Sequence, residues 1–216
     1  MTALRVLGGG ATQGWVEQRR ATFEAATGCT IEGTFGAVGA MKAKLLAGEA
    51  VDVMLLSRAL IDELAHAGQV VASSVADIAR VETAVAFRQG DLLSSIKDKD
   101  GLRAALLAAD EIHFPDPAQA TAGIHFAKVL RELGIWHDVD AHLRTAPNGA
   151  TAMRALAAST ARRPIGCTQA TEIVSTPGIV LIGPLPPGCE LVTTYTAAVT
   201  TRAQHPQEAA RLIAFT

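Results

Sequence analysis

Short apolar runs alternate with amphipathic stretches along the whole chain. Runs such as 4–7, 51–56 and 112–114 have the length of buried strands, whereas the stretch 124–133 repeats apolar residues at helical spacing. Strands of a parallel sheet that is covered on both faces read as continuous apolar runs. The pattern therefore predicts an α/β protein with mostly parallel sheets flanked by helices.

Four of the predicted strand-to-helix connections consist largely of small residues, at 8–14, 36–40, 119–123 and 147–150. The first turn of a helix has unpaired N–H groups and a partial positive charge, so it can bind an anion that approaches the backbone closely. Two connections precede a change of character near residue 80, and two follow it. We therefore predict two lobes with a ligand cleft between them, for a small anion or carboxylate held by neutral donors.

Composition excludes several partners. The 216 residues include 19 basic and 21 acidic residues without a basic stripe, and only 4% are aromatic, so a nucleic-acid partner is not expected. No apolar run is long enough to span a membrane, so no direct insertion is expected. The three cysteines are odd in number and widely spaced, which favours buried small hydrophobes over disulfides or zinc ligands.

Catalytic and metal-binding patterns are weak. His137, Asp138, Asp140 and His142 lie close together, but the two histidines are five apart and do not share a helical face, so a solvated surface is favoured. No nucleophile motif and no paired carboxylates occur at the loops. We predict no enzyme, no metal and no cofactor. Asp52 is interpreted as a structural cap or loop-holding group.

A family resemblance is carried by six stretches in a fixed order. They are RVLGGGATQG, FGAVGAMKAKLLAGEAVDVMLLS, FPDPAQATAGIHFAKVLRELGIW, APNGATAMRAL, IGCTQATEI and YTAAVTTRAQHPQEAARLIAF. The chain resembles the type II periplasmic solute-binding proteins of ABC transporters, in particular the molybdate-binding proteins. The resemblance implies a two-lobed α/β fold: lobe I is 1–80 plus 197–216, and lobe II is the inserted 81–196, joined by two hinge strands that close on the ligand.

The resemblance also implies a function and a site. The expected function is capture of a small anionic or carboxylate-type ligand by a monomer, with an ABC permease as the partner. Positions matched to the family's site, together with neighbouring loop residues, form the predicted ligand-binding set. This set is Ala11, Thr12, Gln13, Val38, Gly39, Thr121, Ala122, Gly123, His125, Ala150 and Gln169. Glu172, close to Gln169, is interpreted as a surface or hinge residue that could contact a ligand amine.

The sequence departs from the molybdate binders at three hydroxyls. Where they place serines in the first two loops, this chain has Ala11 and the segment 37–39; where they place a tyrosine, it has Gln169. Each missing hydrogen bond to a dehydrated oxyanion costs roughly 1–3 kcal/mol. Molybdate is therefore disfavoured unless Thr12, Gln13 or Thr121 supplies the donors.

Two other functions stay open at this point. A cytoplasmic ligand-sensing domain could share the fold, and an enzyme acting on a small metabolite is the third reading. The expected location is the cytoplasm if Met1 is the native start, and the periplasm if a signal segment was removed.

Overall fold

A computed structural model of the protein describes residues 2–91 and 96–215. The strands, in chain order, are β1 (Thr2–Gly9), β2 (Cys29–Gly36), β3 (Val53–Ser57), β4 (Ala76–Arg88), β5 (Glu111–Pro115), β6 (Leu143–Ala146), β7 (Pro164–Gln169), β8 (Ile179–Pro184) and β9 (Val192–Val199). The helices are α1 (Gln13–Thr27), α2 (Val38–Leu46), α3 (Arg58–His66), α4 (Lys99–Ala108), α5 (Thr121–Glu132), α6 (Trp136–Val139), α7 (Gly149–Ala158), α8 (Ala170–Val174) and α9 (Pro206–Ala214).

The chain divides into two compact units. The first contains the residues up to Arg80 and those from Thr194 onward, and the second contains Val81–Thr193. The chain passes from one unit to the other inside β4 and returns inside β9. The return boundary lies after Thr193, whereas the sequence placed it after residue 196.

The first unit is built on a mixed sheet. β1 pairs in parallel with β2 and β3, and β3 pairs antiparallel with β9. Helix α1 covers this sheet with Val16 and Phe23, which are fully buried, and Phe23 meets Phe215 edge to face at 5.7 Å between ring centroids. Gly28, with φ +68°, ends α1 as its position predicts, because a left-handed residue stops a helix with little strain when it is glycine.

The second unit has its own mixed sheet and core. β5 pairs in parallel with β6 and β7, while β4 pairs antiparallel with β7 and β8. Its core includes Phe114 of β5 and Phe126 of α5, whose rings meet at 5.3 Å. The α/β prediction is confirmed, and the antiparallel partners β4, β8 and β9 refine the expectation of mostly parallel sheets.

Some predicted boundaries shift. Helix α2 begins at Val38 and α7 at Gly149, so each starts inside a connection that the sequence interpreted as a loop. Val38 is buried, and its packing extends the helix into the small-residue segment. A polar segment predicted over 91–110 contains α4; residues 92–95 of it lie outside the described residues.

All three cysteines are buried and free, as predicted. In the described part of the chain, no helix combines the length and the apolar character that crossing a membrane requires.

Candidate functional site

Three helices begin at one edge of the first unit's sheet. Gly9 at the end of β1 lies opposite Gly36 at the end of β2, and Gly8 lies opposite Leu55 near the end of β3. The carboxyl ends of these parallel strands therefore coincide, and α1, α2 and α3 all start there. In open α/β sheets, ligands bind at this edge.

Glycines allow the first unit's edge to pack closely. A Cβ added at Gly9 would lie 2.8 Å from Cγ1 of Val38 and 3.2 Å from Cε1 of Tyr195. A Cβ at Gly8 would lie 2.7 Å from Oγ1 of Thr12. The first turn of α2 therefore lies directly on the backbone of β1, which a larger residue would prevent.

The predicted residues of the first two loops have different surroundings. The hydroxyl of Thr12 donates to the carbonyl of Gly9 at 2.7 Å, and Thr12 is 1% exposed. Because the hydroxyl has only this one proton to donate, Thr12 does not replace a missing serine hydroxyl as a donor to a ligand. Ala11 is buried, and Gln13 is exposed at the start of α1.

Helix α2 begins without a side-chain cap. Its N-cap residue is Ala37, and the first hydrogen bond of the helix runs from the N–H of Met41 to the carbonyl of Ala37 at 3.0 Å. The N–H groups of Val38 and Gly39 belong to the first turn and have no acceptor within the helix. This helix start therefore carries donors in the place where the sequence predicted ligand contacts.

The second unit repeats the arrangement. Pro115 at the end of β5 lies opposite Ala146 at the end of β6, and β7 runs parallel on the other side of β5. Helices α5, α7 and α8 follow these strands and begin at the same edge. The three starts differ in how their N–H groups are used.

Helix α5 begins in the same way as α2. Its N-cap residue, Ala120, has no side-chain hydrogen bond, and the N–H of Ile124 donates to the carbonyl of Ala120 at 2.9 Å. The first turn consists of Thr121, Ala122 and Gly123. A Cβ at Gly123 would lie 2.3 Å from the carbonyl oxygens of both Pro115 and Asp116, so only glycine lets α5 sit this close to β5.

The start of α7 is filled by side chains. The Oδ1 atom of Asn148 accepts from the N–H of Thr151 at 2.9 Å, as predicted for an N-cap. The carboxyl group of Glu172 lies against the first residue of α7, since a Cβ added at Gly149 would lie 2.0 Å from its Oε2. The predicted ligand donor of Ala150, the next residue, therefore lies close to a carboxyl group of the chain itself and acts to lower the pKa of that group.

Glu172 is a buried carboxylate rather than a surface residue. It is 7% exposed, and Oε2 also accepts from the hydroxyl of Thr168 at 2.6 Å. Burial raises the pKa of Glu172, and the hydrogen bonds from Thr168, Ala150 and Gln169 act in the opposite direction. The interpretation as a surface residue was wrong. The available signal was the position of Glu172 three residues after Gln169, because a glutamate at the third residue of a helix can turn back towards the helix start.

Gln169 lies at the end of β7 with an unsatisfied polar atom. It is 2% exposed, and its Nε2 donates to Oγ1 of Thr193 at 3.2 Å. Its Oε1 has no hydrogen-bond partner among the described residues, and neither has Oγ1 of Thr83, which is the partner of Gln169 in the β4–β7 ladder. Buried polar atoms without partners cost free energy, so this place in the second unit favours a ligand or water contact.

The remaining predicted residue, His125, is already paired. Its Nε2 lies 2.8 Å from the carbonyl oxygen of Cys189, so the ring holds α5 to a neighbouring segment. The His137–His142 region gives no metal site: the described residues contain no group of three His, Cys, Asp or Glu that could hold an ion. His142 instead has its Nδ1 2.7 Å from the carbonyl oxygen of Ala109.

Solved structures with the same fold are binding proteins. The Azotobacter vinelandii periplasmic molybdate-binding protein matches with a TM-score of 0.81 at 19% identity, over 98% of this chain and 91% of that one. The sulfate-binding protein SubI from Mycobacterium tuberculosis matches with a TM-score of 0.75 at 16% identity, over 99% of this chain and 80% of that one. The fold is thus that of the periplasmic binding proteins, as the resemblance implied.

The chain belongs to the bacterial extracellular solute-binding protein family, whose sequence model matches residues 4–215. A relative with a different description is an aconitate isomerase from Pseudomonas sp, which is 27% identical over 100% of this chain and 82% of its own length. The family is one of solute-binding proteins, so ligand binding is the coarse function of the chain.

Proposed function

We propose that this protein captures a small carboxylate-type anion for an ABC-type uptake system. The observation that carries the proposal is the alanine at the N-cap of both α2 and α5. Alanine at this position costs a helix about 0.5–2 kcal/mol relative to Ser, Thr, Asn or Asp. Both helices start at the carboxyl edge of their sheet, where an anionic ligand would supply the missing acceptors.

The donors favour a carboxylate over a tetrahedral oxyanion. The serine and tyrosine hydroxyls of the molybdate binders are absent, the hydroxyl of Thr12 donates to the carbonyl of Gly9, and the carboxyl group of Glu172 lies at the first residue of α7. A carboxylate has two oxygens and can be satisfied by the N–H groups of one helix start, whereas a tetrahedral oxyanion needs donors around four. The donors that remain are mostly backbone N–H groups, together with the amide of Gln169.

The name of the curated relative agrees with this ligand class, because aconitate is a tricarboxylate. We therefore place small di- and tricarboxylates first among the candidate ligands. Closure of the two units on the ligand, a hinge motion, and delivery to an ABC permease remain part of the proposal.

Isomerisation of a small unsaturated carboxylate is the second candidate function. It is favoured by the likeness to aconitate isomerase over the whole chain. Moving a double bond requires a group that takes a proton from carbon and returns it. The two titratable groups at this edge are held by the scaffold: Nε2 of His125 lies 2.8 Å from the carbonyl oxygen of Cys189, and Oε2 of Glu172 accepts from the hydroxyl of Thr168.

A ligand panel separates the two functions. Thermal unfolding is measured with trans-aconitate, citrate, malonate, sulfate and molybdate, after removal of any co-purified ligand by unfolding and refolding. A ligand at a hundred times its dissociation constant should stabilise the protein by about 2.7 kcal/mol. We expect at least one carboxylate to do so and molybdate to fail; stabilisation by molybdate alone would overturn the proposal.

Turnover is measured on the same samples. Proton NMR of trans-aconitate, incubated with the protein in ²H₂O, reports both conversion to the cis isomer and exchange of carbon-bound hydrogen. A carboxylate that binds without either change supports a binding protein. Catalytic conversion above the rate of a heat-denatured control would establish the isomerase instead.

A further inference from the structure

Within the second unit, the starts of α5 and α7 differ in whether side chains of the protein reach the first turn of the helix. α5 follows β5 and α7 follows β6, and these strands pair in parallel. α5 begins at Ala120 without a side-chain acceptor, whereas two acceptors reach the first turn of α7. One helix start is therefore open to an external anion, and its neighbour is filled from within the chain.

The group that fills α7 comes from a different helix. Glu172 lies in α8, and its carboxyl group reaches the first residue of α7 at the edge of the sheet. A Cβ at Gly149 would lie 2.0 Å from Oε2 of Glu172 and 2.1 Å from Oγ1 of Thr168. The backbone of α7 is thus shaped around a carboxylate, in the position where helix starts bind anions.

Helix capping alone does not explain this arrangement. Asn148 already caps α7 through Thr151, and a neutral side chain would satisfy Ala150 without burying an ionisable group. Burial of a carboxylate is costly unless donors surround it; here the hydroxyl of Thr168 donates to Oε2 at 2.6 Å, and the backbone N–H groups of Ala150 and Gln169 act to lower the pKa. Gln169 is also the residue whose Oε1 has no partner in the described part of the chain.

We propose that Glu172 is a specificity-determining residue: its carboxyl group occupies the anion position at the start of α7, keeps the ligand from the N–H groups there and so selects carboxylates over tetrahedral oxyanions. The selection between ligand classes rests on the proposed function; the placement of the Glu172 carboxyl group does not. A tetrahedral oxyanion loses a donor that it needs, at roughly 1–3 kcal/mol for each unsatisfied oxygen. A carboxylate bound at α5 does not depend on that donor.

The test removes the Glu172 carboxyl group and then supplies a carboxylate from solution. Glu172→Ala should lower the melting temperature, because the buried hydroxyl of Thr168 loses its acceptor. Sodium formate, at about 100 mM, should restore most of the loss because it is a carboxylate that fits the vacated space. Sodium chloride at equal ionic strength should not. Glu132→Ala, which removes an exposed carboxylate of the same unit, is the matched control, and formate should stabilise it no more than it stabilises the wild type.

Calorimetric titrations then measure selectivity. In formate-free buffer, the affinity of Glu172→Ala for sulfate should be at least about tenfold higher than that of the wild type, which corresponds to about 1.4 kcal/mol. Its affinity for trans-aconitate should change by less than about threefold. Added formate should compete with the new sulfate binding. Equal sulfate affinities in the folded variant and the wild type would overturn the selective role.

Glu172→Gln guards against a variant that does not fold. It keeps the shape of the side chain but replaces one carboxyl oxygen with an NH₂ group. The N–H groups at the start of α7 should therefore become only partly available to a ligand. We expect an intermediate gain in sulfate affinity and no formate effect, and an unchanged ratio of sulfate to trans-aconitate affinity would contradict the proposal. If trans-aconitate and the other carboxylates fail to bind the wild type, the proposed function is wrong. Formate rescue still tests whether the Glu172 carboxyl group fills the start of α7.

Discussion

The protein buries one carboxylate at the amino edge of a sheet and another at the carboxyl edge, and the two have different uses. Asp52, 2% exposed, directly precedes β3 in the first unit. Its Oδ1 accepts from the N–H groups of Gln204 and His205, and its Oδ2 from that of Arg5. Glu172 accepts from the hydroxyl of Thr168 and lies against the start of α7, at the edge where open α/β sheets bind ligands.

The chemistry of the two residues is therefore similar, and their location separates them. Asp52 ties β1 and β3 to the segment before α9, far along the chain, and every partner belongs to the scaffold. Glu172 joins the start of α7 to Gln169, which is a predicted ligand contact. A buried carboxylate is evidence for a site only when the edge on which it lies is the ligand edge.

The largest effect should follow the loss of Asp52. Asp52→Ala leaves three backbone N–H groups without an acceptor, and we expect the free energy of unfolding to fall by about 3–5 kcal/mol. Urea denaturation measures the change. Asp62→Ala, which removes an exposed ion pair with Arg58, should change the stability by less than about 1 kcal/mol. A stable Asp52→Ala protein with altered ligand affinity would contradict the scaffold role.

Local patterns made the scaffold side of this comparison predictable. Gly28 and Gly134, with φ of +68° and +69°, follow the ends of α1 and α5, and a glycine after an amphipathic stretch is a helix stop that a sequence displays. The structural role of Asp52 was also predicted and is confirmed by its hydrogen bonds. Strand periods, helix stops and caps depend on residues a few positions apart, so the sequence displays them directly.

Which of the predicted ligand-binding residues are free to contact a ligand depends on their contacts with residues that are distant in sequence. Glu172 was interpreted as a surface or hinge residue because glutamate is rarely buried, and its contact with Ala150 arises only when α7 and α8 meet at the same edge. Thr12 was a candidate hydroxyl donor, yet the turn that follows β1 brings its proton to the carbonyl of Gly9. Residue type and loop position identified these residues; the tertiary structure decided which donors were free.

A smaller effect should follow removal of one donor at the open helix start. Thr121 is the first residue of α5, and Ala120 before it is extended, so proline fits at position 121 without disturbing the helix. Thr121→Pro removes the N–H group together with the Thr121 hydroxyl, and Thr121→Val, which keeps the N–H, separates the two. We expect carboxylate affinity to fall about tenfold, or about 1.4 kcal/mol, with the melting temperature little changed. Isothermal titration measures the affinity.

Lys99→Pro is the matched control for Thr121→Pro. Lys99 is the first residue of α4, and Asp98 before it is also extended, but this helix start is capped by the Asp98 side chain. The control should bind the ligand as tightly as the wild type. Equal weakening by both prolines would mean that the start of α5 has no special part in binding.

The smallest effect concerns the pH dependence of stability. Burial raises the pKa of Glu172 above its ordinary value of 4.5, so the folded state holds the proton more tightly than the unfolded chain. The free energy of unfolding should therefore fall as the pH rises from about 4.5 through the raised pKa, by at most about 1.4 kcal/mol per pH unit. Below the unfolded pKa, this contribution is fully present.

Comparison with Glu172→Gln isolates this contribution, because the other titrating groups are common to both proteins. Urea denaturation of the ligand-free proteins over a pH series should show the wild type losing stability relative to the variant as the pH rises. Glu132→Gln, at an exposed position, should run parallel to the wild type. Parallel curves for Glu172→Gln and the wild type would mean that the three donors fully offset burial. The ionised form of Glu172 would then be fully stabilised by its hydrogen-bond donors. Only its location, at the carboxyl edge of the sheet, would distinguish it from Asp52.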